Sequence, residues 1–339
     1  MVEIPWARQA VNLFFKGRKY PTQSQCNHIA HSVSGTSDIR NVETPGSMSY
    51  TVICTGRHAG KQDLVVSFRE REAYLDQCMG KLARVVHGDL VPEVSYYGEV
   101  DVDMDGVVEA KHICFVRHLA RYGRQRITCC WAEADVLATT AHAVRYFARS
   151  WSKPQQTTAE ARAETLGGVQ RRLALLFESS LSFLGDSAAS KLKRSLPTLF
   201  GQEYRQALTH GDLSRTNILV NEDTYEITGI VDWSLAAILP FGMELDCLFL
   251  TTGYMNRDGW HDYACRSRLH EAFWDEFWSA SEVRNNVQRE KIRDMAKQAA
   301  MIGAILRYAF QRNADGSPSE ALVSDGALTW RYLRAWLAA

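Results

Sequence analysis

The sequence predicts an α+β fold in two lobes, a small strand-rich lobe over residues 1–117 and a larger, mainly helical lobe over 118–339. Three observations predict it. The chain has 339 residues, more than the roughly 250 to 300 at which a single core stops growing. Its first third carries short β-branched and aromatic runs set between glycine turns. The remainder carries apolar residues at helical spacing over long stretches.

Composition is that of an ordinary packed protein, with 46% hydrophobic and 23% charged residues and only 8 prolines, which excludes a disordered or fibrous chain. The 39 basic and 39 acidic residues cancel, so no global field draws the chain to nucleic acid or to an anionic membrane. The eight cysteines, including the neighbours Cys129 and Cys130, form no CxxC pair; reduced thiols and a cytoplasmic location are expected. No apolar run reaches the roughly 20 residues needed to span a bilayer. The start MVEIPWARQAVNLFFKGRKY has no signal-peptide core and reads as a helix packed on the body through Trp6, Phe14 and Phe15.

Residues 21–49 are rich in Ser, Thr, Asn, Gly and Pro and read as a connection. Tyr50 to Thr55 (YTVICT) and Leu64 to Arg69 (LVVSFR) then read as a hairpin, with Gly60 and Lys61 at a turn. A helix is predicted from Glu70 to Val86, ended by Gly88. VSYYGEV and HICFVRHL read as two more strands around the acidic turn Asp101 to Gly106. From Ala132 onward the pattern predicts helices at Ala132–Trp151, Ala159–Leu184, from Ser187 to at least Leu196, Gly259–Ser281, Val283–Gln311 and Leu328–Ala338. Two short strands interrupt them, NILV at Asn217–Val220 and ITGIVDW at Ile227–Trp233.

The chemistry-bearing residues lie at that interruption. In HGDLSRTN, His210 to Asn217, the Asp212 carboxylate and the Asn217 amide are five residues apart, and an apolar strand follows at once. The second strand puts Asp232 behind the apolar anchors Ile230 and Val231. Phosphoryl transfer from a nucleotide needs a metal bridging phosphate oxygens, a carboxylate at the acceptor hydroxyl and positive groups on the remaining phosphate charge. Magnesium takes hard oxygen ligands and keeps several waters, so Asn217 and Asp232 form a minimal magnesium pair.

HGDxxxxN followed by an apolar strand and a second strand ending in Asp resembles the motif of aminoglycoside phosphotransferases and choline kinases; protein kinases carry the related HRDxxxxN and DFG elements. The text LTHGDLSRTNILVNEDTYEITGIVDWSLAAILPFG, with FRE and VPEVSYYG before it, is similar to a fungal branch of phosphotransferase-domain proteins, over about residues 40–280. The resemblance implies a two-lobed protein-kinase-like fold with its active site between the lobes. It implies Asp212 as catalytic base, His210 as a residue steadying the loop, and Asn217 and Asp232 as magnesium ligands. It also implies ATP or GTP as donor and a hydroxyl of a small molecule, of the kind met in fungal specialised metabolism, as acceptor. The expected state is a monomer or homodimer without nucleic-acid or membrane partners.

A kinase also needs a basic side chain on the third strand and a turn whose amides approach the phosphates. Strand alternation puts Val65, Ser67 and Arg69 on one face of LVVSFR. Ser67 would then underlie the base and Arg69 reach the phosphates in place of the usual Lys, as in choline kinases. The turn ETPGSMSY offers Gly46, Ser47 and Ser49 as the phosphate-facing loop, without a GxGxxG. Glu70, Glu72 and Asp76 on the following helix are the acids open to Arg69. Asp246 matches either an acid that holds the catalytic loop or a plain helix cap. Trp233, Trp260, Trp274 and Trp278 with Tyr254 are read as core ahead of an acceptor wall. The absent Lys and the poor glycine loop also admit a kinase-fold protein without phosphotransfer, serving as a binding or regulatory protein or acting on a biosynthetic intermediate.

Overall fold

The computed structural model describes residues 6–17, 21–43, 45–46, 48–56, 63–70, 75–104, 107–118, 125–126, 133–179, 185–221, 223–224, 226–313 and 315–338; from 100 to 142 only the backbone is described. The chain opens with helices α1 (Trp6–Phe15) and α2 (Gln23–Ser34). Strands β1 (Ile39–Asn41), β2 (Ser49–Cys54) and β3 (Leu64–Glu70) follow, then α3 (Gln77–His87), β4 (Val94–Met104) and β5 (Val107–His118). The strands form one antiparallel sheet in the order β1-β2-β3-β5-β4.

β2 and β3 pair as expected, with Ser49 opposite Arg69 and Thr51 opposite Ser67. Period-two alternation divides β3. Val66 and Phe68, both fully buried, pack with Tyr50 and Val52 against Phe14 of α1 and Cys26 and Ala30 of α2. Arg69 and Ser67 face the other way. Residues 23–34 are therefore helix where a connection was expected. Thr22 and Gln25 close a capping box at its start, Gly35 at φ 68 ends it, and burial of Cys26 and Ala30 holds a segment whose Ser, Asn and His residues favour a helix weakly. His28 and His31 lie on this helix, and the His31 ring Nδ1 meets the Thr36 carbonyl at 2.7 Å.

The predicted third helix begins later than its pattern. Glu70 ends β3, and Asp76 caps α3 by accepting from the Cys78 and Met79 amides. Glu72 lies outside the described residues.

The rest is helical with small sheets between. After β6 (Gln125–Arg126) come α4 (Glu133–Ser152), α5 (Ala159–Glu178) and α6 (Asp186–Leu199). Strand β7 (Gln206–Thr209) leads into the HGDLSRTN loop, which closes in a 3-10 turn at Arg215–Asn217 and enters β8 (Ile218–Val220). Strands β9 (Ile227–Ile230) and β10 (Ala237–Pro240) follow; β8 pairs with β6 and β9, and β10 returns to pair with β7. A 3-10 stretch at Leu245–Thr251 precedes β11 (Gly253–Met255) and β12 (Trp260–Asp262). Helices α7 (Arg266–Ser281) and α8 (Asn286–Tyr308), the hairpin β13 (Phe310–Arg312) and β14 (Pro318–Leu322), and α9 (Leu328–Ala338) complete the chain. The hairpin at 260 shortens the helix expected from Gly259, and the strands at 206–209, 237–240 and 310–322 had no clear alternating pattern.

Two glycines set the spacing around the site. A Cβ on Gly211, at φ 79, would sit 2.1 Å from the Leu235 carbonyl oxygen; one on Gly303 would sit 1.7 Å from that of Met243. The first lets the loop lie against the β9–β10 connection. The second lets α8 press on the segment carrying Glu244 and Asp246. Trp233, Trp274 and Trp278 are buried in the core, in keeping with the first reading of the aromatic cluster, while Tyr254 is exposed. Among the described residues no helix is long and apolar enough to cross a membrane.

Candidate active site

The strand β7 delivers His210, Gly211 and Asp212 at its end, and a buried carboxylate holds them there. Glu244 accepts from the His210 amide at 3.0 Å and the Gly211 amide at 2.8 Å, and Tyr146 of α4 donates its hydroxyl to the same carboxylate at 2.6 Å. Three donors on one carboxylate satisfy its charge where water is excluded. Burial and the neighbouring Glu244 push the Tyr146 pKa well up, so the phenol keeps its proton.

His210 is fully buried, and its ring joins the two halves of the motif. Its Nε2 lies 2.8 Å from the Val231 carbonyl and its Nδ1 3.3 Å from the Asp212 amide. The carbonyl can only accept and the amide only donate, so the proton sits on Nε2. One imidazole thus fixes the residue before Asp232 relative to Asp212. The Asn217 side-chain amide donates to the Asp212 carbonyl at 2.8 Å and to its carboxylate at 3.2 Å, and the Val231 amide donates to the Asn217 carbonyl at 2.9 Å. Asp212, Asn217 and Asp232 are thereby brought together.

Asp232 has φ 68 and ψ 61, a left-handed conformation unusual outside glycine. The turn departs from the strand at Ile230, and Trp233 closes it by donating its indole N–H to the Ile230 carbonyl at 2.9 Å. The Asp232 carboxylate accepts from Ser234 Oγ at 3.1 Å and from Arg69 Nη2 at 2.6 Å. Asp232, distant in sequence, is therefore a carboxylate that Arg69 meets. Glu70, the nearest candidate in sequence, leaves on the opposite side of the strand. The Arg69 side chain is 4% exposed and that of Asp232 34%, so the guanidinium is shielded from solvent while the carboxylate keeps one side open.

Beside Arg69 runs a row of hydroxyls. Ser49 Oγ lies 3.2 Å from Thr51 Oγ1, which lies 2.9 Å from Ser67 Oγ. Gly46 is exposed and its φ is not positive, so its conformation is open to other residues. Ser47 lies outside the described residues.

Four further residues complete the site, of which the sequence singles out only Asp246: Glu244, Asp246, Arg307 and His87. Glu244 holds the loop amides, a task first given to Asp246 as one of two options. Asp246 is fully buried and accepts from Arg307 Nε at 2.6 Å. Arg307 in turn reaches Asp212, with Nη1 3.5 Å from Oδ1. Burial raises the Asp246 pKa to about 6 against the pull of Arg307, and Arg307 holds its own proton more tightly because Asp246 is near. The pair MELD at 243–246 was the available signal, two acids at alternate positions in an apolar stretch. His87 sits behind the loop, stacked on Tyr146 with centroids 4.3 Å apart, and burial lowers its pKa to about 3.

The Asn217 amide and the Asp232 carboxylate are hard oxygen donors on neighbouring strand ends, and a guanidinium already rests on the carboxylate, so the site suits a cation. Among the described residues no group of three or more His, Cys, Asp or Glu could hold a metal. An ion here would complete its shell with water and phosphate oxygens.

Residues 117–277 match the profile of the phosphotransferase enzyme family. The match spans helices α4 to α6, most of α7 and every residue of the loop just described. The whole chain is similar in fold to the GDP complex of aminoglycoside 2'-phosphotransferase-IIIa, at 12% identity and TM-score 0.52, over 93% of this chain and 95% of that one. It is likewise similar to the amicoumacin kinase hAmiN in complex with AMP-PNP, Ca2+ and amicoumacin, at 12% identity and TM-score 0.52, over 91% of this chain and 92% of the other. At these identities the likeness is one of fold, the two-lobed α+β kinase-like fold. No curated protein matches the chain in sequence.

Proposed function

We propose that this chain binds ATP or GTP with magnesium in the cleft and transfers the terminal phosphoryl group to a hydroxyl of a small molecule. The observation that carries this reading is the convergence of Asp212, Asn217 and Asp232 on one another, with Arg69 2.6 Å from Asp232 across the cleft. These residues come from a five-residue loop step, a hairpin and a separate sheet, and each has a part in phosphoryl transfer.

Asn217 and Asp232 would hold the ion, which supplies charge neutralisation to the phosphate oxygens. Arg69 would turn from Asp232 to a phosphate oxygen, since the ion's positive charge at that carboxylate repels the guanidinium and the phosphate attracts it. Asp212, half exposed, would accept the hydrogen bond of the acceptor hydroxyl. Because the transition state is largely dissociative, the hydroxyl proton leaves late, and Asp212 acts chiefly by orienting the nucleophile. His210 and Glu244 would keep that carboxylate aimed.

The test is the melting temperature with nucleotide alone, magnesium alone and both. At about 100 times the dissociation constant, binding adds about 2.7 kcal/mol, enough to shift the transition by several degrees. A shift that needs both components supports the reading; no shift with magnesium and either nucleotide sinks it. One observation favours a second reading, a kinase-fold protein that binds without turnover: the ion pair of Arg69 already neutralises Asp232. Nucleotide binding with no phosphorylated product from any hydroxyl compound would favour it.

A further inference from the structure

The end of α8 and the β13–β14 hairpin bring two guanidinium groups to the acceptor side of Asp212. Arg307 Nη1 lies 3.5 Å from Asp212 Oδ1, while fully buried Asp246 holds its Nε from inside the protein at 2.6 Å. The Arg307 side chain is 11% exposed, so its charge has a fixed place. Arg312 follows on β13. Its Nη2 donates to the Arg307 carbonyl at 3.0 Å and its Nη1 to the Gly316 carbonyl at 3.1 Å. Burial first and Arg307 next lower the Arg312 pKa, and Asp212 opposes them, so the three groups share one field. Gly316 at the hairpin turn packs on Leu235, just past Asp232, which keeps this corner against the loop.

The acids of this corner are committed elsewhere. Glu244 accepts from two loop amides and Tyr146, and Asp246 is closed off behind Arg307. Asp212 faces solvent here, at 50% side-chain exposure, with Arg307 offsetting its charge, and the exposed Asp315 of the hairpin turn accepts from the Ser317 amide at 2.8 Å. A hydroxyl bonded to Asp212 stands within roughly 6 Å of that permanent positive charge. An ammonium group next to the hydroxyl would meet like charge at this range, whereas a carboxylate would be drawn to the guanidinium N–H groups that Asp246 and Asp212 leave over.

We propose that Arg307, backed by Arg312, is a specificity-determining residue that selects an anionic alcohol as acceptor, a hydroxyl compound with a carboxylate near the reacting hydroxyl, over an amine-bearing one. The proposal rests on Asp212 as the group that receives the acceptor hydroxyl. It differs from the phosphotransfer reading in concerning the chemistry of the acceptor alone.

Calorimetric titration with a matched pair of probes, 3-hydroxypropionate and 3-aminopropan-1-ol, at fixed ionic strength tests it, with and without magnesium and AMP-PNP. The carboxylate binds at least about tenfold more tightly than the amine in the wild type. Arg307→Met alone would strand Asp246, so the preference is measured in the double variant Asp246→Asn with Arg307→Met, where it disappears. Arg312→Gln, at the exposed edge, keeps the test readable if that variant fails to fold; there the preference falls severalfold. Equal binding of the probes, tighter binding of the amine, or a preference that survives in every folded variant overturns the proposal. Loss of nucleotide binding overturns the phosphotransfer reading instead, and the titration without nucleotide still decides the role of Arg307.

Discussion

Arg69 on the third strand of the sheet places its guanidinium 2.6 Å from the carboxylate of Asp232, which is 163 residues away in sequence. This contact joins the two lobes at the centre of the candidate site. Arg69→Met is expected to weaken magnesium-nucleotide binding by at least about tenfold, because a charge-assisted phosphate contact is lost. Arg69→Lys should recover part of it, since Lys supplies the charge without the fork. Calorimetry on AMP-PNP with magnesium measures both. Affinity within twofold of wild type in Arg69→Met would remove Arg69 from the phosphate grip.

Asp212→Asn should abolish turnover and leave nucleotide affinity within about threefold, since Asp212 meets the acceptor rather than the phosphates in this reading. Product formation is followed by ADP release with any hydroxyl compound found to be phosphorylated. A variant that turns over at near wild-type rates refutes the assignment.

Glu244 carries a structural duty that substitution exposes. Glu244→Ala strands the His210 and Gly211 amides and the Tyr146 hydroxyl in a dry interior, at about 3 kcal/mol or more in total. Tyr146→Phe removes one donor and is expected to cost about 1 to 2 kcal/mol. Urea unfolding of both variants and of the double variant gives the coupling. Additive effects would show that Tyr146 does not act through Glu244.

Gly211→Ala is expected to destabilise by about 2 to 4 kcal/mol, combining a positive φ with a Cβ driven into the Leu235 carbonyl. Thermal melting reads it directly. A loss below about 1 kcal/mol would mean that the loop shifts without penalty.

Asp246 makes stability depend on pH. Its folded pKa is raised to about 6 by burial, above the value near 4 of an unfolded Asp. Between those values the folded state binds more protons than the unfolded one, so stability from this group falls as pH rises from about 4 to 6 and stays lowered above that. The contribution is on the order of 2 kcal/mol. Urea unfolding of wild type and Asp246→Asn at pH 4.5 and 7 should show a wild-type decrease that the variant lacks. Equal slopes would show that Arg307 fully offsets the burial of Asp246.

The sequence by itself determined the local parts. HGDLSRTN and the two short strands after it are specified by neighbours within a few residues, through apolar anchors and turn chemistry. The alternation of LVVSFR likewise placed Arg69 and Ser67 on one face before any partner was known. Even the missed helix at 23–34 had a legible start in Thr22 and Gln25; its weak helix formers hid it because their support comes from Tyr50, Val52 and Phe68 on the sheet. Tertiary structure alone decided the charge partners. Arg69 met an acid 163 residues away, Glu244 reached the loop amides 33 and 34 residues back, and Arg307 met Asp212 across 95 residues. Backbone periodicity is set by residues a turn or a strand step apart, whereas an ion pair is set by which elements pack together. At this site, packing put Arg69 of the small lobe and Arg307 of the large one on two aspartates of the same loop and hairpin.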